Sequence, residues 1–506
     1  MNYIKYIIIN TIALTTSLAG ISSHSITGKV EEKPLVAIVC SYNNIKWAEK
    51  NLDSIFSQRY RNYRVIYVDD GSTDGTGDFV ERYINEYALQ DKVIFIRNKQ
   101  RLRKLANVYR AIHLCKDNEI VVMIDGDDWL AHRGVFKLIN KEYDNKDLWF
   151  TYGQYRNEPV REAERWGFSA KGYSRPVSRR MQEKKIYRPR RFVYMHLRTF
   201  YAWLFKLIKL EDLIATNVKG FKGDFYPASN DLAMYYPIAE MAHKRTRFIS
   251  KVLYVRNLYS DIVGFKVDSK LQNSSAVEIR KKRPYAQRVK PVESRLRKFK
   301  QAQADLFLFC NKNGKSIADA VRNIDEQISG VDSIYVFYAN CIDNNRVIKG
   351  LQYSFPAMKF ISYNPCKSKE LKEQVLQQLN NGMCDHNLLL TDTANITKSV
   401  NVQKLIHWLE KTFAHGFYLD RSEQDKVVPR HVQLGDNVCA WKFNLGAGKW
   451  RTMYNINGVL YRKINLKKKL ETCEFNTISN LRQQLKLIET DSKKVGLFYK
   501  KARVIF

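Results

Sequence analysis

Apolar and polar positions in the first half of the chain fall into blocks whose lengths suit strands and helices in turn. Leu35–Cys40 is an unbroken apolar run, the pattern of a strand covered on both faces. Ser41-Tyr42-Asn43-Asn44 follows as a polar loop, and Trp47–Gln58 places Ala48, Leu52, Ile55 and Phe56 on one side of a helix. Tyr63–Val68 predicts a second strand. It stops abruptly at Asp69-Asp70-Gly71-Ser72-Thr73-Asp74-Gly75-Thr76, a dense turn signal. A helix from Gly77 to about Tyr87, a strand Val93–Arg97, a helix Leu105–Cys115 and a strand Ile120–Ile124 continue the alternation. The last strand ends in Asp125-Gly126-Asp127-Asp128. Such alternation predicts an α/β fold with a mostly parallel sheet flanked by helices.

Further along, Trp149–Tyr152 and Leu253–Arg256 read as strands, and the Arg-rich stretch 156–191 as long loops. A second α/β pattern begins near Ala304: strands at Leu306–Cys310, Ser333–Tyr338, Lys359–Tyr363 and Asn387–Leu390, with helices at Ile317–Ile328 and Ser368–Leu379. Its order echoes the first half, so a degenerate copy of the first domain is one expectation, although no sequence repeat supports it. The resulting division is a leader over 1–30, a first domain over 31–268, a basic linker over 269–300 and a second α/β domain over 301–506. In the leader, Lys5 precedes an apolar stretch from Tyr6 to about Ile21, as in a signal peptide or short signal anchor; a buried N-terminal helix is the alternative. A secretory or membrane-associated protein follows from the first reading. A catalytic domain on the cytosolic face of a membrane is the alternative if the leader is an anchor.

Charge sharpens the partner list. Lys and Arg number 85 against 51 Asp and Glu, a formal net charge of +34. Such a balance favours acidic partners, whether nucleic acid, an anionic membrane surface or phosphorylated and acidic sugars, with a Lys-rich bias and solvated helix faces as the alternative cause. Charge alone does not decide among them, and nucleic acid is not the expected partner. The eight cysteines contain no C-x-x-C pair, which argues against a structural zinc site.

Ligands of open α/β sheets bind beyond the carboxyl ends of the strands. Tyr42, Asp69 with Asp70, and Asp125 with Asp127 and Asp128 all follow such ends. An aromatic ring can stack on a base, and a carboxylate can accept from base N–H or ribose hydroxyls. Carboxylates beside a diphosphate repel it unless a divalent cation lies between, and Mg2+ or Mn2+ prefers such oxygen ligands. A lone acidic turn is commonplace, but two such turns about 55 residues apart in one α/β pattern are more specific.

Val39-Cys40-Ser41-Tyr42-Asn43, Val68–Thr76 and Ile124–Leu130 resemble family-2 glycosyltransferases of the GT-A fold, and His196–Phe200 followed by Asn230-Asp231-Leu232 resembles that family's acceptor side. The resemblance spans about residues 33–268. It implies a GT-A-like nucleotide-binding sheet and metal-dependent, inverting transfer from a nucleotide-diphosphate sugar, a UDP-sugar being favoured, to a hydroxyl of a glycan, lipid-linked or protein acceptor. It further implies that Tyr42, Asp69, Asp70 and Asp127 bind the donor. Asp125, Asp127 and Asp128 surround Mn2+ or Mg2+ in this reading, and Asp231 is the catalytic base. Three departures stand out: Asn230 replaces the first acid of the usual pair, Arg103 and Lys104 replace small residues, and Glu240 is a rival carboxylate better read as helix-stabilising. Arg198 and His196 are further candidates for the site, with packing beside Phe200–Trp203 as the alternative for His196. The second half has Asp392 but no counterpart of Asp-Asp-Gly-Ser and reads as non-catalytic. Rival functions are nucleotidyl transfer, which would want a Gly-rich basic loop after the first strand, and an inactive carbohydrate- or polyanion-binding protein on a transferase scaffold.

Overall fold

The computed structural model describes residues 31–165, 169–259, 268–289, 303–311, 314–435, 437–488, 491 and 493–505. The leader expected over 1–30 lies outside them. Among the described residues no helix is long and apolar enough to cross a membrane.

The first sheet uses strands β1 (Leu35–Ser41), β2 (Tyr63–Asp69), β3 (Val93–Arg97), β4 (Ile120–Asp125), β5 (Trp129–Leu130), β6 (Phe150–Glu158), β7 (Arg198–Tyr201) and β8 (Thr246–Asn257). Their spatial order is β3-β2-β1-β4-β7-β6-β8-β5. The four strands β3, β2, β1 and β4 run parallel; β7 is antiparallel to β4 and β6, and β8 runs parallel to β6. Helices α1 (Ile45–Phe56), α2 (Thr76–Glu86) and α3 (Lys104–Ile112) are the crossovers. The continuous apolar run of β1 has a direct cause. Val36 and Ile38 pack on the face that α3 covers, whereas Leu35, Ala37 and Val39 pack with Ala48, Leu52 and Val80 on the other.

Three regions differ from the sequence expectation. The strand expected over 149–152 extends to Glu158, and the one over 253–256 begins at Thr246, because the two pair along nearly their whole lengths. The Arg-rich stretch contains short helices at Val160–Arg165 and Arg179–Glu183. The first part of the basic segment 269–300 is a helix, Ser269–Lys281, capped by Asp268, whose Oδ1 accepts from the Leu271 N–H at 2.8 Å. Ala276 and Ile279 bury one side of it, and Glu278 accepts from Thr216 N–H, Asn217 N–H and the Tyr226 hydroxyl. Its three basic residues, Lys270, Arg280 and Lys281, are exposed.

The second sheet runs in the order Lys359–Tyr363, Val331–Ala339, Ala304–Cys310, His386–Thr391, Val459–Arg462, Gly416–Tyr418, Val495–Tyr499, Val438–Lys442 and His431–Gln433. Its first four strands are parallel, Val459–Arg462 is antiparallel to its neighbours, and Val495–Tyr499 is parallel to Gly416–Tyr418. Strand for strand this repeats β3-β2-β1-β4-β7-β6-β8. The second half is thus a topological copy of the first. Polar contacts tie the two: Lys442 Nζ lies 2.6 Å from Thr216 Oγ1 and Lys494 Nζ 3.4 Å from Glu211 Oε1.

Candidate active site

Parallel register brings the acidic turns together. Ser41 sits beside Asp69, and Cys40 beside Asp125, so β1, β2 and β4 end side by side. The Asp125–Asp128 turn folds tightly back on β1: a Cβ on Gly126 would lie 2.5 Å from Ser41 Oγ, so only glycine fits there. The strand ends open on a cavity of about 590 Å³ lined by Tyr42, Asp70, Arg101, Lys104, Asp125, Asp127, Asp128, His196 and Asp231, among others.

On the side expected to take the base, Asp70 is committed to the protein. Its carboxylate accepts from the N–H groups of Leu102 (2.7 Å) and Arg103 (2.8 Å) and from Asn98 Nδ2 (3.1 Å). These bonds hold the 98–103 loop over the crevice, with the Arg101 guanidinium 3.9 Å from the centre of the Tyr42 ring. Asp69 is buried, does not line the cavity, and accepts from the Ser72 N–H at 3.3 Å. Asp69 therefore shapes the turn.

At the end of β4 the acids divide. Asp125 Oδ1 lies 2.5 Å from Lys104 Nζ. Burial alone would raise the Asp125 pKa, but the charge and hydrogen bond of Lys104, with the charge of Arg198, outweigh it and hold the carboxyl below the usual range. The same attraction, from Asp125 and Asp231, overcomes burial at Lys104 and raises its pKa. Asp127 lines the cavity. Asp128 turns inward: its Oδ2 accepts from the Tyr254 hydroxyl and its Oδ1 from the Asn257 N–H, both at 2.7 Å. Burial and then the charges of Asp127 and Asp125 push its pKa well above the normal carboxylate value.

Across the cavity, Asp231 occupies the first turn of the helix Asn230–Ala242, where the helix dipole favours a negative charge. Arg198 on β7 is buried. It donates to Asp231 Oδ2 (2.7 Å) and the Tyr194 carbonyl (2.7 Å) and lies over the Tyr235 ring. His196 lines the cavity and stacks on Tyr254, with ring centres 4.5 Å apart. Burial and the Arg198 charge lower its pKa, so its ring is neutral. Glu240 faces away from the cavity and is fully inside the protein. It is paired with Arg188 through contacts of 2.6 and 2.8 Å and accepts from the Tyr285 N–H. This carboxylate anchors the Arg-rich segment rather than a helix surface.

The donor set can be tested against a hard divalent cation. Asp125 and Asp127, offset across Gly126, offer carboxylate oxygens to the cavity, as such an ion requires. Asp125, Asp128 and His196 each bring one ligand atom within 4.8 Å of the others. The two oxygens of Asp128 already serve Tyr254 and Asn257, so the acids best placed to hold the ion are Asp125 and Asp127. Sequence reasoning did not single out Arg101, Tyr254 or Asn257. Arg101 had a signal, the basic run Arg101-Leu102-Arg103-Lys104. Tyr254 and Asn257 had none, because they reach Asp128 from β8, more than 120 residues downstream.

Residues 36–213 match the family model described as Glycosyl transferase family 2. The chain carries a family-2 glycosyltransferase domain. Among curated relatives, a putative glycosyltransferase EpsE of Bacillus subtilis is 33% identical over 97 residues, 19% of this chain and 34% of that protein. Glycosyltransferase GlyG of Streptococcus pneumoniae is 28% identical over 123 residues, 24% of this chain and 38% of that protein. The chain thus spans about a third of the length of these relatives. Among solved structures, S. aureus TarS 1-349 in complex with UDP-GlcNAc shares 18% identity, covering 44% of this chain and 58% of that chain with a TM-score of 0.31. The mannosyltransferase PcManGT of Pyrobaculum calidifontis, in complex with GDP-Man and Mn2+, shares 20% identity over 45% of this chain and 57% of that chain, with a TM-score of 0.29. The matched family segment holds Tyr42, Asp70, Asp125, Asp127 and Arg198; Asp231 lies beyond its end.

Proposed function

We propose that the family-2 glycosyltransferase domain transfers a sugar from a nucleotide-diphosphate donor to an acceptor hydroxyl, with inversion and with Mn2+ or Mg2+ at Asp125 and Asp127. The observation that carries this reading is the placement of Asp231 in one cavity with the two acids of the β4 turn. Tyr42 and Arg101 form the wall that a base would stack against, with Arg101 moving off the ring as the base enters. Lys104 faces the diphosphate. A bound divalent cation supplies positive charge that stabilises the leaving diphosphate. Arg198 fixes the direction of the Asp231 carboxylate. Asp231 takes the proton of the acceptor hydroxyl as that oxygen bonds to C1 of the sugar and the C1–O bond to the diphosphate breaks. The proton rests on Asp231, and attack from the face opposite the leaving group inverts C1. The neutral ring of His196 beside the acids adds no charge to the step. A UDP-sugar is the favoured donor, and the excess of basic residues favours an acidic or phosphorylated acceptor. We further propose that the leader places the protein in a secretory or membrane-associated setting.

The test is a screen of UDP-, GDP- and dTDP-sugars with Mn2+ or Mg2+, reading thermal shift and nucleotide release. One donor should stabilise the protein in the presence of metal, Asp127→Ala should lose that shift, and Asp231→Asn should bind without turnover. A wild type indistinguishable from Asp127→Ala with every donor would sink the proposal and leave the inactive binding-protein reading.

A further inference from the structure

A second cluster of metal-ligating side chains lies outside the lining of the catalytic cavity, at the outer edge of the second sheet. His431 and Cys439 belong to its last two strands, which pair antiparallel with Gln433 opposite Cys439. His431 and Cys439 are therefore diagonal neighbours on one face of the hairpin. Glu423 reaches them from the loop that follows the strand Gly416–Tyr418, and its backbone is tied by a bond from its N–H to the Lys500 carbonyl. Glu423 Oε1 is 3.0 Å from His431 Nε2 and 3.5 Å from Cys439 Sγ. All three ligand atoms fall within 4.8 Å of one another.

These separations have a chemical meaning. With zinc–ligand bonds of about 2.0–2.3 Å and tetrahedral angles, neighbouring ligand atoms lie ~3.3–3.6 Å apart. The Glu423–Cys439 contact of 3.5 Å falls within that range and the Glu423–His431 contact of 3.0 Å just below it, so an ion enters with only small side-chain movements. The histidine is also oriented as a ligand. Its Nδ1 lies 3.0 Å from the Pro429 carbonyl, which can only accept, so Nδ1 carries the hydrogen and Nε2 faces Glu423 and Cys439. Burial and Glu423 push the Cys439 thiol up to about 12, so an ion binds here by displacing the thiol proton. The resulting thiolate, imidazole and carboxylate form a mixed donor set that suits zinc better than the all-oxygen preference of Mg2+. Cys439 is fully buried, while Glu423 and His431 keep partial exposure, which leaves an entry path and a fourth position for water.

We propose that Glu423, His431 and Cys439 form a zinc site that fastens the edge hairpin of the second sheet. Arg430, the residue before His431, donates to the Gly220 carbonyl and lies 3.4 Å from Asp224 Oδ2, so the fastened hairpin also holds the first half of the chain. Paired cysteines are the usual sequence signal for such a site. This one is assembled from single residues eight apart, Glu423, His431 and Cys439.

The test uses the full chain, stripped with chelator and refilled with Zn2+ or Co2+. Expected results are about one tightly held zinc per chain by elemental analysis, a thiolate-to-cobalt charge-transfer band, and a zinc-dependent rise in melting temperature. His431→Ala and Cys439→Ser should weaken zinc binding by more than about 100-fold, beyond the cost of losing an outer-shell partner. Both should lose the melting-temperature rise. Cys40→Ser and Asp127→Ala should keep the cobalt band, which separates this ion from one in the catalytic cavity. If Cys439→Ser does not fold, Glu423→Gln, at a half-exposed position, should still weaken zinc binding. A wild type without the cobalt band, or His431→Ala and Cys439→Ser variants that bind zinc as the wild type does, would overturn the proposal.

Discussion

The ammonium of Lys104 lies 2.5 Å from Oδ1 of Asp125, so the first acid of the β4 turn is neutralised by a residue of the protein's own chain. A basic side chain opening α3 is the reason. It lets two carboxylates stand beside the proposed diphosphate site with part of their repulsion already offset. Lys104→Met should therefore weaken donor binding about 10-fold, close to 1.4 kcal/mol, and leave Asp125 more dependent on added cation. Thermal shift with and without Mn2+ checks this. The metal-induced rise should be larger in Lys104→Met than in the wild type, and equal rises would separate Asp125 from the ion.

Asp127 and Asp128 are adjacent in sequence and differ in role. Asp127→Ala should reduce turnover by about 100-fold or more, the scale on which charge stabilisation of a leaving group is lost. Asp128→Asn should chiefly disturb the contact between the β4 turn and β8. Side-by-side kinetics and melting curves distinguish the two, and matching turnover losses with unchanged melting would refute the division.

The pH dependence of stability follows from the two shifted acids, measured in chelator. The folded-state pKa of Asp125 is depressed, so its contribution is complete above its unfolded value near 4 and is lost as pH falls through the lower folded value. The folded-state pKa of Asp128 is raised, so the folded state binds the extra proton and stability declines as pH rises from about 4 towards that raised value. Asp128→Asn removes the second effect. Its melting temperature should fall less than that of the wild type over that interval, and parallel curves would contradict the assignment.

Glu240 serves as a control for the Asp231 assignment. Its pairing with Arg188 is buried on both sides, with side chains 2% and 4% exposed. Glu240→Gln strips the partner from a buried guanidinium and should destabilise the protein by about 3–5 kcal/mol while donor binding to the folded fraction persists. Denaturant unfolding and donor titration measure the two separately. Loss of turnover at unchanged stability would instead make Glu240 a rival base.

Much of the first domain was legible in the chain alone. The Leu35–Cys40 run, the turn at Asp69–Thr76 and the Asp125–Asp128 end are local patterns, and strand period and turn chemistry specify them within a few residues. The β4 turn, Tyr42, Asp70 and Asp231 accordingly meet in one cavity. The division among the acids could not be read that way. Whether a carboxylate faces the cavity or the core depends on partners supplied from elsewhere: Tyr254 and Asn257 for Asp128, the loop amides of Leu102 and Arg103 for Asp70, Arg188 for Glu240. The strand order of the second half was hidden for a related reason. Pairing of Gly416–Tyr418 with strands that follow much later, Val459–Arg462 and Val495–Tyr499, leaves no local pattern. By itself the sequence determined which segments become strands and helices and where acids cluster, because periodicity and turns act over a few residues. The tertiary structure alone decided which acids stay open to a ligand, because long-range hydrogen bonding and burial set the partners and the charge of each.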